Sequence, residues 1–494
     1  MFAKHNKVLL LPFISLLISY LFMFTTTLAV RPGYWYDEII VTEVSKQLLP
    51  QLMDTVKAEP HPFGLYILLK LFPVENPILN RLVVLTVSAS LVFLALVIAF
   101  KTGILKEYSL SYGISLFLVS TISNLLLSNI KQDFLSLPLF ILFAVFALLY
   151  VKKHSVPILI TLFLLVSVSL FIGYISFFKL ALLFFLIIAL VRRTKLGYFF
   201  LATLAGLTIT YFYFYGYEQL LTNTTRFTWV GRYPATLFSS LNYALSHNYS
   251  SSSILVDATV LGLIISVTLF SISKEKKFYE KVSTYLLIGF FVLGMLDSGL
   301  VRTRYVFEVF ILLFVISGWG IEKYFKGKVK VYAQLILYFL ILINGMVGYG
   351  YFLKFVFAYG SISDKIVELA SGEEFLLLER HPIQPFVRKA GHFSNLNNIH
   401  PVNISYPETF DHAAIDYDIL AKDGSFTDRS EDQIISVLVE LPINKYIYVY
   451  STSDSYYFDP ELTIVKTLTE YCSEVSYDSV DRTNILSFEQ CGSN

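Results

Sequence analysis

Apolar side chains run through this chain in long stretches separated by short polar connections. Eleven stretches are about as long as the 17 to 25 residues that a helix needs to cross a bilayer. They cover residues 8–30, 79–100, 108–128, 134–151, 155–172, 177–191, 197–216, 254–273, 282–300, 305–321 and 331–352. The pattern predicts an α-helical polytopic membrane protein with about eleven transmembrane helices in residues 1–352. The stretch at 177–191 is short enough to be partly re-entrant.

The pattern changes at about residue 353, where charges, Pro and Asn become frequent and no further stretch is long enough to span. Helical spacing of apolar residues appears at 363–370 and 431–441. Strand-like stretches follow at 374–378, 445–450, 462–468 and 484–488. Helices that lead into strands predict a small soluble α/β domain over 353–494.

Composition agrees with a membrane protein and excludes one class of partner. Hydrophobic residues make up 55% of the chain and charged residues 15%, against about 25% charged residues in a typical soluble domain. Mean hydropathy is +0.63. A net charge of +1 and the lack of a basic stripe argue against nucleic acid as a partner.

Lys and Arg residues predict the orientation in a cell membrane, because short basic loops stay in the cytoplasm. One basic cluster precedes the first span, and one follows every second span after it, so all of them lie on the same side of the membrane. The clusters are Lys4/Lys7, Lys101/Lys106, Lys152/Lys153, Arg192/Arg193/Lys195, Lys274/Lys276/Lys277/Lys281 and Lys323/Lys326/Lys328/Lys330. This predicts a cytoplasmic N-terminus, a first outside loop at 31–78 and an extracytoplasmic C-terminal domain.

The chain has two cysteines, Cys472 and Cys491, and both lie in the predicted outside domain. An extracytoplasmic compartment permits disulfides. The pattern favours a bridge between them, and two free thiols are the alternative.

The first outside loop carries polar groups that apolar packing does not explain. Asp37 and Glu38 follow a Trp directly after the first apolar stretch, and His61 and Tyr66 precede the next one. Ionisable residues beside a membrane helix are often only solvated loop charges. A carboxylate fixed near the membrane surface by an aromatic neighbour also suits a general base that takes a proton from an acceptor hydroxyl. Between these two groups, residues 39–58 predict an amphipathic interfacial helix that is interrupted near Pro50.

Two motifs of this loop resemble a known family. W-Y-D-E after the first helix and H-P-F-G-L-Y-I-L-L-K-L-F before the second are similar to the first outside loop of GT-C-type polytopic glycosyltransferases. The similar branch contains protein O-mannosyltransferases and aminoarabinose-to-lipid A transferases. Those enzymes carry an Asp or Asp-Glu, then a segment like H-P-P-L-Y-Y-L-L-L-K-L-W. The second Pro and the first Tyr of that segment are Phe63 and Leu65 here.

The resemblance extends to two sites for cations. The family often has E-x-R-x-Y in its second outside loop, where this chain has Lys131 in place of the Arg and Asp133 in place of the Tyr. L-V-R-T-R-Y at 300–305 is similar to the family's Arg-Tyr before a late helix, so Arg302 and Arg304 are implied phosphate ligands. Interfacial anchoring is the alternative for both arginines. Glu308, one turn inside that helix, is then an ion-pair partner or a pocket group.

The resemblance implies transfer of a sugar from a polyprenyl phosphate to a hydroxyl of a protein, a lipid or a cell-surface glycan. Asp37 is the expected base and Glu38 is the second catalytic candidate, which either competes for that role or binds a hydroxyl of the substrate. His61 and Tyr66 are expected to bind substrate. No cofactor is firmly implied, because some relatives use a divalent ion and others do not, and Asp37, Glu38 and His61 would be adequate ligands. A lipid-linked sugar flippase or transporter is the alternative, although that class is expected to show duplicated halves.

Overall fold

A computed structural model describes residues 10–29, 41, 45–58, 62–71, 77–106, 108–128, 133–191, 194–215, 254–272, 307–370, 375–379, 399–403, 444–451, 463–480 and 483–492. These residues fall into two compact units. The larger contains the described residues of 10–29, 48–71 and 79–352. The smaller contains mainly those from Leu353 onward, with short stretches at 41–47 and 77–78.

Helices form the larger unit. In chain order they are α1 Leu11–Ala29, α2 Leu49–Ala58, α3 Gly64–Lys70, α4 Pro77–Lys101, α5 Tyr108–Leu118, α6 Thr121–Ser128, α7 Asp133–Lys153, α8 Val156–Ile172, α9 Tyr174–Val191, α10 Thr194–Tyr215, α11 Ile254–Ile272 and α12 Phe307–Tyr324. Helix α13 covers Gly327–Ala370, and the division between the units falls within it. Helix α2 has Pro50 in its first turn, where the missing N–H of proline costs no hydrogen bond.

Six helices among the described residues are long and apolar enough to cross a membrane. They are Leu11–Leu28, Ile78–Lys101, Phe134–Lys153, Lys195–Phe214, Ile254–Ile272 and Gly327–Gly350. Helix α10 leaves the Ile209 and Phe214 side chains 71% and 75% exposed, as expected for a surface that faces lipid. The structure thus agrees with a helical membrane protein.

The remaining predicted spans differ among themselves. Helices α8 and α9 correspond to the stretches at 155–172 and 177–191, and both are apolar. Helix α12 corresponds to 305–321 and carries charged residues at both ends. The stretch at 282–300 lies outside the described residues. The count of eleven therefore stays a prediction.

The stretch at 108–128 was predicted to be one helix. In the structure it forms two helices, α5 and α6, which are separated at Val119 and Ser120. Side chains satisfy the backbone at this buried break. The Ser19 hydroxyl of α1 donates to the Leu118 carbonyl at 2.7 Å, and the Ser120 hydroxyl donates to the Phe117 carbonyl at 2.6 Å. Irregular backbone is tolerated at membrane depth only where protein groups replace the lost helical hydrogen bonds.

Glycines bring several of these helices into close contact. A β-carbon on Gly113 of α5 would collide with the backbone of Val315 in α12. A β-carbon on Gly345 of α13 would collide with the Val119 carbonyl at the break between α5 and α6. Small residues at such points let helix backbones approach, which raises dispersion attraction where lipid supplies no hydrophobic driving force.

A five-stranded mixed sheet forms much of the smaller unit. Its strands are β1 Phe375–Glu379, β2 Ile399–Asn403, β3 Lys445–Ser451, β4 Cys472–Val480 and β5 Thr483–Cys491, in the order β2-β1-β3-β5-β4. Strand β1 pairs in parallel with β2 and β3, whereas β5 pairs antiparallel with β3 and β4. The central strand β3 is buried on both faces, because Tyr446, Ile447, Tyr448 and Val449 are all inaccessible to solvent.

The strands predicted at 374–378, 445–450 and 484–488 are confirmed as β1, β3 and β5, whereas the one predicted at 462–468 is wrong. Residues Thr463–Tyr471 form helix α14 instead. Leu468 of this helix is buried and the Tyr471 ring contacts that of Tyr446, with centroids 6.5 Å apart. Their spacing of three residues places both on one helix face, and burial of that face against the sheet overrides the β-propensity of the Thr, Ile and Val residues. The helix predicted at 431–441 lies outside the described residues.

A disulfide joins Cys472, the first residue of β4, to Cys491, the last residue of β5. The two residues are also register partners in the β4–β5 pair. The bridge closes the open end of this hairpin.

Candidate functional site: a buried ion pair among helices α7, α9 and α12

The structure describes only part of the predicted site. Asp37, Glu38, His61, Lys131, Arg302 and Arg304 lie outside the described residues. The three residues named for a divalent ion are all among these six. Tyr66, the motif residues beside it and Glu308 are described.

Tyr66 lies in the short helix α3 and is fully buried together with Leu65 and Leu69. All three side chains belong to the H-P-F-G-L-Y-I-L-L-K motif. The apolar spacing of this motif therefore serves packing within the larger unit. The predicted substrate-binding Tyr66 is placed inside the protein rather than on its surface.

Phe63, which stands where the similar family has its second Pro, packs into a cluster of rings. Its ring centroid lies 5.5 Å from that of Phe171 in α8 and 5.9 Å from that of Tyr211 in α10. Phe171 and Tyr211 are themselves 5.4 Å apart, edge to face. Such ring pairs are worth about 0.5 to 1.5 kcal/mol beyond their buried area.

Gly64 completes this contact, because a β-carbon there would collide with the backbone carbonyl of Phe171. The neighbouring Phe63 and Gly64 thus dock the end of the first polar loop onto the carboxyl end of α8 and onto α10. The phenyl ring of Phe63 fills an aromatic contact that a proline at this position could not make.

Lys179 and Glu308 form a largely buried ion pair between helices α9 and α12, in which Glu308 is buried and Lys179 keeps a small exposed fraction. The Lys179 ammonium group donates to both carboxylate oxygens of Glu308, at 2.9 and 2.8 Å. The side chains are 16% and 5% exposed. Charges inside apolar helices are costly unless they are paired, so such pairs commonly mark a functional part of a membrane protein.

Aromatic and hydroxyl groups surround this pair. The Lys179 ammonium lies 5.2 Å from the centroid of the Phe307 ring, and Phe140 of α7 meets Phe307 edge to face at 5.7 Å. The Ser176 hydroxyl of α9 donates to the Ser136 hydroxyl of α7 at 2.8 Å. One face of α9 therefore makes polar contacts with the starts of both α7 and α12.

The low polarity around Lys179 and Glu308 makes each charge costly in free energy when the other is removed. Removing one partner of a buried pair leaves an uncompensated charge, which typically costs about 3 to 5 kcal/mol. Replacing both by apolar groups is often neutral or stabilising. A retained Lys179–Glu308 pair is therefore better explained by specific positioning than by a gain in stability.

The sequence interpretation gave Glu308 two alternatives, an ion-pair partner or a pocket group, and did not single out Lys179. Lys179 is the one charged residue of the stretch 174–191. A lone cation in a segment of that hydropathy is itself the signal that would have found it. Asn80 and Arg81, the fourth and fifth residues of α4, are likewise buried and were not singled out.

In the smaller unit, Lys365 of α13 bridges two acids. Its ammonium lies 3.0 Å from Glu368 and 2.8 Å from Asp478 of β4. The Asp478 hydrogen bond, followed by that of Glu368, raises the pKa of Lys365 above its usual value. The same bond from Lys365 lowers the pKa of Asp478. Burial raises the pKa of Tyr446, and nearby Tyr471 adds to the effect.

Comparison with known proteins adds no assignment. No protein-family model matches the chain, and no curated protein matches it either. Within the described part of the chain, no three His, Cys, Asp or Glu residues lie close enough to hold a metal ion.

Proposed function

We propose that this protein is a membrane glycosyltransferase that moves a sugar from a polyprenyl-phosphate donor to an acceptor hydroxyl on the extracytoplasmic face. The acceptor is a protein, a lipid or a cell-surface glycan. The observation that carries the proposal is the polar loop between the first two apolar stretches, with W-Y-D-E at its start and H-P-F-G-L-Y at its end. Its motifs resemble those of GT-C-type enzymes.

The proposed reaction needs a base, a phosphate site and a shielded surface. Asp37 takes the proton of the acceptor hydroxyl, whose oxygen attacks the anomeric carbon of the sugar. The bond from that carbon to the phosphate oxygen breaks, and polyprenyl phosphate leaves with the electron pair. Arg304 and Lys131 meet the charge of the leaving phosphate. Glu38 and His61 bind hydroxyls of the sugar or the acceptor.

Two structural observations support this assignment. The end of the polar loop is anchored, because Phe63 and Gly64 pack against Phe171. A polar cluster built on Lys179 and Glu308 lies at the start of α12, directly after the segment that carries Arg302 and Arg304. A catalytic loop needs a rigid support of this kind to hold reacting groups in place.

The proposal includes a membrane topology with a cytoplasmic N-terminus, eleven spans and an extracytoplasmic C-terminus. Reporter fusions at Asn494 and in the basic segment 274–281 test it. We expect an outside signal from the first and a cytoplasmic signal from the second. A cytoplasmic signal at Asn494 would contradict both the span count and the placement of the site.

The catalytic test uses purified protein in detergent with radiolabelled polyprenyl-phosphate sugars. Membranes and cell envelopes from cells that lack the protein supply the acceptor. Asp37→Asn keeps the size of the side chain but cannot take a proton, so transfer should be abolished while donor binding stays nearly unchanged. Glu38→Gln is the matched variant next to it. A wild-type rate in Asp37→Asn with a dead Glu38→Gln would give the base role to Glu38, and wild-type rates in both would remove this loop from the chemistry.

A lipid-linked sugar flippase is the second candidate, and the Lys179–Glu308 pair between apolar helices is the observation that favours it, because transporters also carry paired charges among their helices. The two functions separate in detergent, where no bilayer leaflets exist. A transferase still forms a new glycosidic bond there, whereas a flippase forms none. Movement of labelled donor across vesicles without covalent transfer would favour the flippase.

A further inference from the structure

Four lysines cluster where helix α12 ends and helix α13 begins. Lys323 lies in the last turn of α12, Lys326 directly precedes α13, and Lys328 and Lys330 lie in the first turn of α13. One acid, Glu322, precedes the first of these lysines. This segment of the chain therefore carries an excess of positive charge.

Two of the four lysines are exposed at the surface of the larger unit. Lys326 and Lys328 are exposed, whereas Lys323 and Lys330 are partly buried. The Lys323 ammonium lies 5.1 Å from the centroid of the Phe270 ring in α11, so it is directed toward a neighbouring helix. We call Lys326 and Lys328 the α13 basic pair.

The apolar length of α13 places the basic pair at a membrane surface. Residues 331–350 carry no charged side chain, and Gly327–Gly350 is long and apolar enough to cross a bilayer. From Lys330 to Gly350 the helix rises about 30 Å, which matches the hydrocarbon core of roughly 30 Å. The basic pair therefore lies at the level of the lipid headgroups, on the surface that the predicted topology assigns to the cytoplasm.

An exposed apolar stripe runs along α13 from the position of the basic pair. Its members recur every three or four residues and are Tyr332, Ile336, Phe339, Ile343 and Val347. Tyr332 and Ile336 are 60% and 61% exposed. Lys328 stands four residues before Tyr332 and therefore lies on the same face of the helix. From Tyr332 to Ile343 the stripe is about 16 Å long, which is about half the thickness of the hydrocarbon core.

The opposite face of α13 packs against other helices. Gln334, Tyr338 and Asn344 of this face are buried. The Tyr338 and Ser15 hydroxyls lie 2.9 Å apart, and the Tyr112 hydroxyl donates to the Gln334 carbonyl at 2.6 Å. These contacts fix the rotation of α13, so the exposed stripe is turned away from its neighbours.

We propose that the α13 basic pair binds the phosphate group of an anionic phospholipid, whose acyl chains lie along the exposed stripe of α13. Lysine ammonium groups attract anionic headgroups at a membrane surface, whereas a zwitterionic headgroup carries a cation of its own. A stripe as long as one leaflet calls for acyl chains, which a soluble phosphate lacks. The inference does not depend on the proposed glycosyltransferase function.

The headgroup test measures lipid binding to the delipidated full-length protein in detergent by native mass spectrometry. Long-chain phosphatidylglycerol should bind about 10-fold more tightly than phosphatidylcholine of the same chain length. Raising the NaCl concentration from about 50 mM to about 500 mM should weaken the binding of phosphatidylglycerol, because salt screens exposed charges. Equal affinities for the two lipids would overturn the proposal.

The variant test removes the charges of the basic pair. Lys326→Gln with Lys328→Gln should weaken phosphatidylglycerol binding by about 30-fold, because each lysine near a membrane surface contributes about 5-fold. The same variant should lose most of the salt dependence. Lys326→Arg with Lys328→Arg should bind like the wild type, because both charges remain.

Lys152→Gln with Lys153→Gln is the matched control, because it removes two exposed lysines from the end of α7. It should leave the affinity for phosphatidylglycerol unchanged. An equal loss in this control would show that binding follows the total charge, and would overturn a site at α13. If the Gln variant of the basic pair fails to fold, Lys328→Gln alone replaces it, with an expected loss of about 5-fold.

A soluble competitor and a short-chain lipid test the source of the phosphate. Glycerol 3-phosphate should not displace long-chain phosphatidylglycerol. Dihexanoyl phosphatidylglycerol should bind more weakly than the long-chain form, because its acyl chains cover less of the stripe. Displacement by glycerol 3-phosphate, or equal binding of the two chain lengths, would assign the basic pair to a soluble phosphate and refute the lipid.

Discussion

Gly320 of helix α12 lies directly against the backbone carbonyl of Ser266 in helix α11, with no space between them for a β-carbon. The contact lies next to the Phe270 and Trp319 side chains, whose ring centroids are 5.7 Å apart. Close backbone approach of this kind replaces the hydrophobic driving force that lipid does not supply. Helix α12, which carries Glu308, is therefore fixed at its far end as well as at its start.

Gly320→Ala should destabilise the larger unit by about 1 to 3 kcal/mol, since overpacking forces the helices apart. Thermal unfolding in detergent measures this loss. Gly206→Ala in α10 is the matched control, because nothing lies within 4 Å of the position that a β-carbon would take there. That control should be neutral or stabilising by up to about 1 kcal/mol. Equal melting temperatures for the two variants would contradict the contact.

Asn344 of α13 connects two other helices through its side chain and backbone. Its amide donates to the Thr259 hydroxyl at 2.6 Å and to the Leu255 carbonyl at 3.3 Å, and its own carbonyl accepts from Thr121 at 3.2 Å. Asn344→Leu should cost about 0.6 kcal/mol, the average for hydrogen bonds between membrane helices, and at most about 1.7 kcal/mol for each bond lost.

A double-mutant cycle of Asn344→Leu with Thr259→Val measures the coupling between these two residues. Ser271→Ala is the control, because that exposed hydroxyl donates to Val267 of its own helix. Additive effects of Asn344→Leu and Thr259→Val would show that their hydrogen bond contributes nothing to stability.

The Lys365–Asp478 pair predicts a pH dependence in the smaller unit. The pKa of Asp478 is lowered from 3.8 in the folded state, so its contribution is present above that value and is lost as pH falls through the lower folded pKa. The pKa of Lys365 is raised from 10.5, so its contribution is present below that value and is lost as pH rises through the higher folded pKa.

Asp478→Asn should reduce the fall in melting temperature that the wild type shows as pH decreases from about 5 to about 2, the acid limb of its stability curve. The change should be small, because both side chains are partly exposed and water screens their charges. Glu470→Gln, on the exposed surface of α14, should leave that limb unchanged. An acid limb in Asp478→Asn equal to that of the wild type would exclude the pair as its cause.

The Cys472–Cys491 bridge spans 19 residues. Its removal should cost the smaller unit about 3 kcal/mol, the value expected for a loop of this length. The double variant Cys472→Ala with Cys491→Ala should melt at the temperature of the reduced wild type and should not respond to reductant. If reductant left the melting temperature of the wild type unchanged, the disulfide would contribute nothing to the stability of the smaller unit.

Arg304→Lys tests the proposed phosphate fork. A single ammonium cannot reproduce two parallel hydrogen bonds to a phosphate, so transfer should fall by about 10- to 100-fold, the equivalent of one charge-assisted hydrogen bond. Membrane insertion and the amount of protein should stay at the wild-type level. Full activity in Arg304→Lys would assign this residue to interfacial anchoring.

The sequence by itself determined where most of the described helices lie. Apolar runs locate helices such as α4 and α11 because a segment that faces lipid must satisfy its backbone internally and cover it with apolar side chains. Strands β1, β3 and β5 were also predictable, since a short apolar run between polar turns suits a buried strand. These features depend on neighbouring residues in the chain.

Tertiary structure alone decided the break between α5 and α6 and the helix at Thr463–Tyr471. The break depends on a hydroxyl from Ser19, 99 residues before the carbonyl that it satisfies. Helix α14 depends on the sheet beneath Leu468 and Tyr471. Local propensity contains no information about either contact, because the contacting residues are distant in sequence and are brought together only by the fold.

The partner of Glu308 in the candidate site was likewise identified only from the tertiary structure. The sequence left open whether Glu308 meets an ion-pair partner or lines a pocket. Lys179, 129 residues away, was identified as that partner only by the packing of α9 against α12. Hydropathy determines which segments enter the membrane, and the arrangement of the helices determines which polar groups meet there.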